Sequence, residues 1–271
     1  MRVLLLNNFS SLLFELSSND RLDILFLLQK SPLKLSHISR KLDFTVQETS
    51  RNITRLSNAK MIRKDVEGLY HPTPYGEESL NLLSGFRFLF KNKDYFTTHA
   101  LDKIPDIFRA SLGVLDSCES VRDVMVSFHN IENMIAEANE FVWILTDQIL
   151  ASTIPYLIEL VKNGIQFRLM MPRDYMPSPD IRQLVDNPFF EKATRSKKLE
   201  TRFLEAIDVF LCLSEKETAA LAFPTLEGRF DYTGFMAENE SVVEWSKTLF
   251  AYYWKEAITQ VPDQLRQIND T

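Results

Sequence analysis

Cysteine is almost missing from this 271-residue chain: Cys118 and Cys212 lie far apart and belong to no CxxC or Cys/His cluster. That excludes a thiolate zinc site and a disulfide scaffold. Two buried thiols in a reducing compartment are the plain reading, with a single pairing as the alternative. Glycine is scarce too, at seven, and none falls in a GxSxG elbow or a phosphate-cradling Walker loop. No apolar run approaches the length that spans a bilayer. After Met1-Arg2-Val3-Leu4-Leu5-Leu6, Asn7 and Asn8 interrupt the sequence before a signal peptide's apolar region could form. The expectation is a cytoplasmic protein with no membrane partner, no metal and no cofactor. What the chain has in quantity is phenylalanine, at twenty, enough for a sizeable core or an apolar ligand cavity.

Positive charge is in deficit overall, with a formal net charge of −6, but it is unevenly distributed. Residues 1–90 hold twelve Lys/Arg against nine Asp/Glu, and residues 91–271 hold nineteen against twenty-eight. Within Ser36–Lys64 the ratio is seven to two. A short basic stretch on an acidic chain can face phosphates while the remainder repels them.

Helical periodicity marks Asp20–Gln29, with Leu22, Leu25, Phe26 and Leu28 as its apolar stripe and Ser31-Pro32 as its end. A short helix, Ser36–Leu42, follows, and Asp43-Phe44 makes a tight turn. Thr45-Val46-Gln47-Glu48 has the form of a capping box, in which Thr45 and Glu48 satisfy orphan amides at a helix start. The spacing predicts a helix to about Asn58, with Val46, Thr49, Ile53 and Leu56 inward. Gln47, Ser50, Arg51, Thr54, Arg55 and Asn58 then form the outward stripe. A helix that enters a major groove needs such a face, with donors for bases or phosphates, few acids and no bulky apolar group. The other reading is a solvated helix face. Ile62–Val66 and Leu69–Thr73, joined around Glu67-Gly68, predict a hairpin on which Arg63, Lys64 and His71 are candidate phosphate contacts. Thr73-Pro74 launches a further helix, Tyr75–Phe90.

That order, and the segments LSHISRKLDFTVQETSRNITRL and MIRKDVEGLYHPTPYGEES, resemble the ArsR-like winged-helix domains of archaeal regulators over residues 20–83. Two departures stand out. Asp43 and Lys60 occupy positions where the family usually has glycine. The metal-thiolate cluster of some ArsR relatives is absent.

The pattern breaks at Asn92–Pro105, read as a linker between a winged-helix domain (1–91) and a second domain (106–271). His99 in that linker suits an interdomain hydrogen bond. Helices are expected at Ile104–Leu115 and Val121–Ala138. The continuously apolar run from Phe141 to Leu145, closed by Thr146, suits a strand covered on both faces. With the helix Thr153–Asn163 and the strand Ile165–Met171 it forms a parallel βαβ unit. Leu199–Leu204, Ile207–Leu213, Thr218–Phe223 and Phe230–Phe235 are further extended candidates, and an aromatic helix, Val242–Ile258, closes the chain. The expected class is therefore α/β with an N-terminal winged helix-turn-helix, its second domain a parallel or mixed sheet flanked by helices.

NEFVWILTDQI, LIELVKNGIQFRLMMP, AALAFPTLEGRFDYTGF and WSKTLFAYYW resemble the second domain of archaeal methanogenesis-type regulators. That resemblance implies half of a phospholipase D-like fold. Enzymes of that fold need a nucleophilic histidine with a lysine two residues later. None of the four histidines here has one, so no catalytic residue is expected. Ligands of parallel layers sit beyond the carboxyl ends of the strands. Thr146, Asp147, Gln148 and Arg173 become candidate ligand residues on that ground, and Arg168 joins them because it alternates against Phe167 and Leu169. A helix cap or surface ion pair is the alternative for each. The sequence thus describes a regulator that binds double-stranded DNA, as a homodimer paired through Tyr75–Phe90 and Val3–Leu16, and responds to a small, anionic effector. The rival is a scaffold whose winged helix recruits transcription machinery without reading DNA.

Overall fold

The computed structural model describes residues 2–176 and 188–259. It divides into two compact units, one up to Phe86 and one from Arg87 on.

The first unit begins with α1 (Arg2–Leu16), α2 (Asn19–Lys30), α3 (Leu35–Leu42) and α4 (Val46–Asn58). The hairpin β1 (Ile62–Lys64) and β2 (Tyr70–Pro72) follows, and α5 (Pro74–Lys91) begins here and ends in the second unit. Ile24, Leu25, Leu28, Ile38, Leu56 and Met61 meet in its core. The expected Thr45–Glu48 box forms, whereas Asn19, expected as a cap, is the first residue of α2. Thr45 Oγ1 accepts from the Glu48 N–H at 3.2 Å, and the Thr45 N–H donates to Glu48 Oε2 at 3.0 Å. Asp43 ends α3 at φ 54°, and Lys60 follows α4 at φ 62°. Both departures from glycine therefore adopt the left-handed backbone that glycine would favour. Val46 is a correction: it is 60% exposed rather than inward. It occupies the first helical position, and the inward place falls to Thr49, whose Oγ1 donates to Thr45 O at 2.9 Å.

In the wing, the Asp65 carboxylate accepts from the Glu67 and Leu69 amides, and Gly68 supplies φ 81°. Arg63 pairs with His71 across the hairpin. Thr73 joins the wing to α5. Its Oγ1 donates to Lys60 O at 2.6 Å and accepts from the Gly76 N–H at 3.0 Å.

The second unit is a seven-stranded mixed sheet in the order β3-β9-β8-β7-β4-β5-β6. Its strands are β3 (Glu119–Val121), β4 (Phe141–Leu145), β5 (Gln166–Pro172), β6 (Leu199–Leu204), β7 (Phe210–Ser214), β8 (Thr218–Ala222) and β9 (Gly234–Ala237). β4, β5 and β6 run parallel, and the other pairings are antiparallel. The helices are α6 (Lys93–Phe96), α7 (Asp106–Ala110), α8 (Val124–Glu137), α9 (Ile154–Lys162), α10 (Pro188–Arg195) and α11 (Glu240–Glu256), with 3-10 turns at Leu112–Ser117 and Ala151–Thr153. Phe141, Trp143 and Leu145 point into the core that α11 covers. Val142 and Ile144 point into the one that α8 and α9 cover. That alternation is why the run reads as uniformly apolar. The chain therefore has the expected class, α/β with an N-terminal winged helix-turn-helix.

Residues 92–105, expected as a linker, are built into the second unit. The Tyr95 hydroxyl accepts from the Phe223 N–H at 2.9 Å, and the Ala100 N–H donates to Pro224 O at 2.9 Å. Phe96 and Ile104 join the core under α11. His99 accordingly makes its contacts inside this unit rather than between units. It stacks on Tyr95 at 3.7 Å between ring centroids, with Nδ1 2.9 Å from Tyr95 O and Nε2 3.2 Å from Asp231 Oδ2. Ile104–Leu115 is not one helix: α7 stops at Ala110 and the 3-10 turn begins at Leu112. Of the expected second domain, residues 177–187 and 260–271 lie outside the described ones.

Candidate nucleic-acid interface

The capping box fixes the start of α4, and Thr49, Ile53 and Leu56 bury its inner face. Gln47, Ser50, Arg51, Thr54, Arg55 and Asn58 are all exposed on the other side. Ser50, Arg51, Thr54 and Arg55 line an open depression there. Thr54 turns its hydroxyl back to Ser50 O at 2.9 Å, so it offers a methyl and a lone pair outward. The Glu48 carboxyl is held below the usual carboxylate range by the Thr45 hydroxyl and amide. Its main partners are in the cap, and the Arg51 charge contributes less.

On the wing, Arg63 and Lys64 are exposed. Lys64 Nζ lies 5.5 Å above the Tyr70 ring. His71 is half-buried, with Nε2 turned toward Asp65 at 3.7 Å. It therefore faces the turn of its own hairpin, unlike its neighbours.

Arg55 has a partner that sequence spacing does not suggest. Its Nε and Nη2 donate to Glu15 Oε2 and Oε1 at 2.8 and 2.6 Å, and the guanidinium lies 5.3 Å over the Phe14 ring. The hydrogen bond from Arg55 holds the Glu15 carboxyl below its ordinary range. Arg21, itself buried, donates to Phe14 O at 2.8 Å and Glu15 O at 2.6 Å, and so clamps the end of α1. Forty residues separate Glu15 from Arg55, and Glu15 belongs to a helix outside the winged-helix pattern read from the sequence.

The five candidate ligand residues of the second unit do not converge. Thr146, Asp147 and Gln148 follow β4. The Thr146 hydroxyl donates to Gln148 O and accepts from its N–H, and Asp147 accepts from the Tyr232 hydroxyl at 2.9 Å. Tyr232 sits at φ 60°, a costly backbone for an aromatic residue. Thr146 and Gln148 border a cavity of about 20 Å³ among Ile144, Phe167, Phe210 and Cys212, room for about one water molecule. Arg168 lies on the other face of the sheet, beside Trp143 in the β4–β5 register. Its Nε donates to Glu200 Oε1 at 3.1 Å, and its guanidinium lies 5.2 Å from the Trp143 ring and 5.1 Å from that of Trp254. The anion it was expected to need is thus a carboxylate of the chain itself. Arg173 pairs with Glu205 at 3.0 Å on the surface.

No protein-family model matches the chain, and no curated protein matches it in sequence. Among solved structures it is similar to TrmBL2, described as an archaeal chromatin protein with a novel mode of DNA binding, at a TM-score of 0.42. Identity there is 14%, over 90% of this chain and 94% of that one. NucT from Helicobacter pylori gives a TM-score of 0.40 at 10% identity, over 53% of this chain and 98% of that one. IdeR from T. acidophilum gives 0.24 at 14%, over 84% and 95%. At these scores the likenesses assign neither fold nor role to this chain.

Proposed function

We propose that this chain is a DNA-binding transcriptional regulator of the ArsR-like winged-helix kind. Its α4 would enter the major groove and its wing would touch the backbone. One observation carries the reading. The outward stripe of α4 is exposed, contains two arginines and no acid, and is joined by the exposed Arg63 and Lys64 of the wing on a chain of net charge −6.

Pairing into a homodimer would use α5, whose Leu82, Phe86 and Phe90 follow one another at four-residue spacing and are each more than 70% exposed. In α1, Phe9 and Leu13 are exposed as well. Apolar surface of that extent on a folded chain marks a contact. Dimer symmetry then predicts a pseudo-palindromic site. The second unit would be regulatory rather than catalytic, as the histidine contexts suggest. An effector entering beside Thr146 would have to open the turn that Thr146 and Gln148 close. Its binding would therefore select between two conformations of that turn.

Fluorescence anisotropy on duplex DNA across a salt series tests the reading. Binding should weaken linearly in log–log form as counterions are released, and Arg51→Ala should make that slope shallower. Affinity that is indifferent to salt, or absent altogether, favours the scaffold reading.

A further inference from the structure

Arg51 and Arg55 sit one helical turn apart on the same face, yet they are held differently. Arg51 makes no hydrogen bond or ion pair among the described residues, and it feels the charge of the capping Glu48. Arg55 is fixed in position and orientation by Glu15 and Phe14. A guanidinium has five N–H donors and two bidentate edges. Glu15 occupies the edge made by Nε and Nη2. That leaves the two Nη1 protons and one Nη2 proton, and one proton from each nitrogen makes the end-on edge.

We propose that Glu15 is a positioning residue that presents the end-on edge of Arg55 to guanine, making Arg55 a reader of bases while Arg51 serves the phosphate backbone. The assignment rests on the DNA-binding reading above. Three observations support it. The bond to Glu15 takes up the side-on edge of Arg55 and offsets part of its attraction for phosphates, while the remaining donors keep the geometry that matches guanine O6 and N7. The support is itself fastened, because buried Arg21 clamps both carbonyls at the end of α1 and lies 3.2 Å from Glu15 Oε2. Arg55 also stays open. Its side chain is 43% exposed against 19% for Glu15. A contact that switched DNA binding off would bury the arginine, and this one buries the carboxylate.

The test is selection from a pool of random-sequence duplex DNA by the full chain, with binding constants measured on the enriched sequence and its single-base variants. The wild type should enrich one G·C pair per half-site. Arg55→Ala should cut the preference for that pair about 5- to 140-fold, the range of one bidentate base contact. Glu15→Ala should lose most of the same preference while binding the unselected pool as well as, or better than, the wild type. The double variant should lose no more than Arg55→Ala alone. Leu28→Ala, which destabilises the same unit from its core, should leave the preference intact, and this separates positioning from stability.

The assignment is overturned if Glu15→Ala keeps the preference or tightens binding to the selected site, since Glu15 would then be neutral or inhibitory. It is also overturned if Leu28→Ala loses the preference equally, or if the wild type binds the pool in a salt-dependent way without enriching any base pair. Failure of the wild type to bind the pool at any salt concentration instead removes the DNA-binding reading, and this assignment with it.

Discussion

Gly76→Ala should loosen the first unit selectively, and its cost can be worked out from the joint it occupies. A Cβ on Gly76 would stand 2.0 Å from Met61 O, 2.9 Å from its carbonyl carbon and 3.3 Å from its Cα. Carbon contacts relax at about 3.5–4.0 Å, so α5 and the wing strand must separate by about an ångström or more. The Thr73 N–H bond to Met61 O, the Thr73 Oγ1 bond to Lys60 O and the Gly76 N–H bond to Thr73 Oγ1 all cross that joint. Overpacking of this kind costs about 1–3 kcal/mol. Weakening two hydrogen bonds adds about 1–2 kcal/mol. Alanine's better helix propensity returns at most about 1 kcal/mol. The net loss should be about 1–4 kcal/mol, a large fraction of a typical domain's stability.

The assay separates the units, because Trp143, Trp245 and Trp254 all belong to the second one. In urea, far-UV circular dichroism should show an early transition in Gly76→Ala, while the tryptophan emission transition stays near its wild-type midpoint. Glu78→Ala, exposed on the same helix, should leave both unchanged. A Gly76→Ala variant within about 0.5 kcal/mol of the wild type, the usual span of surface substitutions, refutes the close-approach reasoning.

Burial pushes the Cys118 thiol up to about 12, with the Asp116 charge contributing, and raises the Cys212 thiol as well. Both should remain protonated at pH 8 and react with a disulfide reagent such as DTNB only on unfolding; fast labelling of native protein would contradict this. Burial raises the Asp116 carboxyl, but hydrogen bonds and charge from Arg87 and Lys91 outweigh it and hold the group below its ordinary value of 3.8. Stability from that cluster is present above that ordinary value and drains away as pH falls through the folded one. Asp116→Asn should therefore flatten the acid limb of the second unit's stability curve, and an unchanged limb counts against the pairing. If the chain pairs through α5 as proposed, Phe86→Glu should lower the particle mass in light scattering from dimer to monomer, and an unaltered dimer mass would move the seam elsewhere.

The sequence disclosed most where local chemistry decides structure. The Thr45–Glu48 box, the stripe from Gln47 to Asn58, the Gly68 turn and the βαβ unit around β4 and β5 depend on residues close in the chain. The two-sided burial of β4 shows as an unbroken apolar run. Legibility failed where the partner is distant. Nothing near Arg55 suggests Glu15, and nothing near Arg168 shows that Glu200 and two tryptophans already satisfy it. The short strand β3 has three residues and no pattern to find. Residues 92–105 looked like a linker because their anchors, Phe223, Pro224 and Asp231, lie more than 120 residues away. The polar motif after β4 was visible, but the size of the cavity beside it depends on side chains from four other elements.

The link from Glu15 to Arg55 also bears on how such a protein could diverge. A change at position 15 leaves every residue of α4 as it was, along with the core that holds α4. Comparison of recognition helices between two relatives would then find them identical while their preferred sites had drifted apart. On the proposed reading, variation that retunes target choice can accumulate in α1, whose end Arg21 holds through the carbonyls of Phe14 and Glu15.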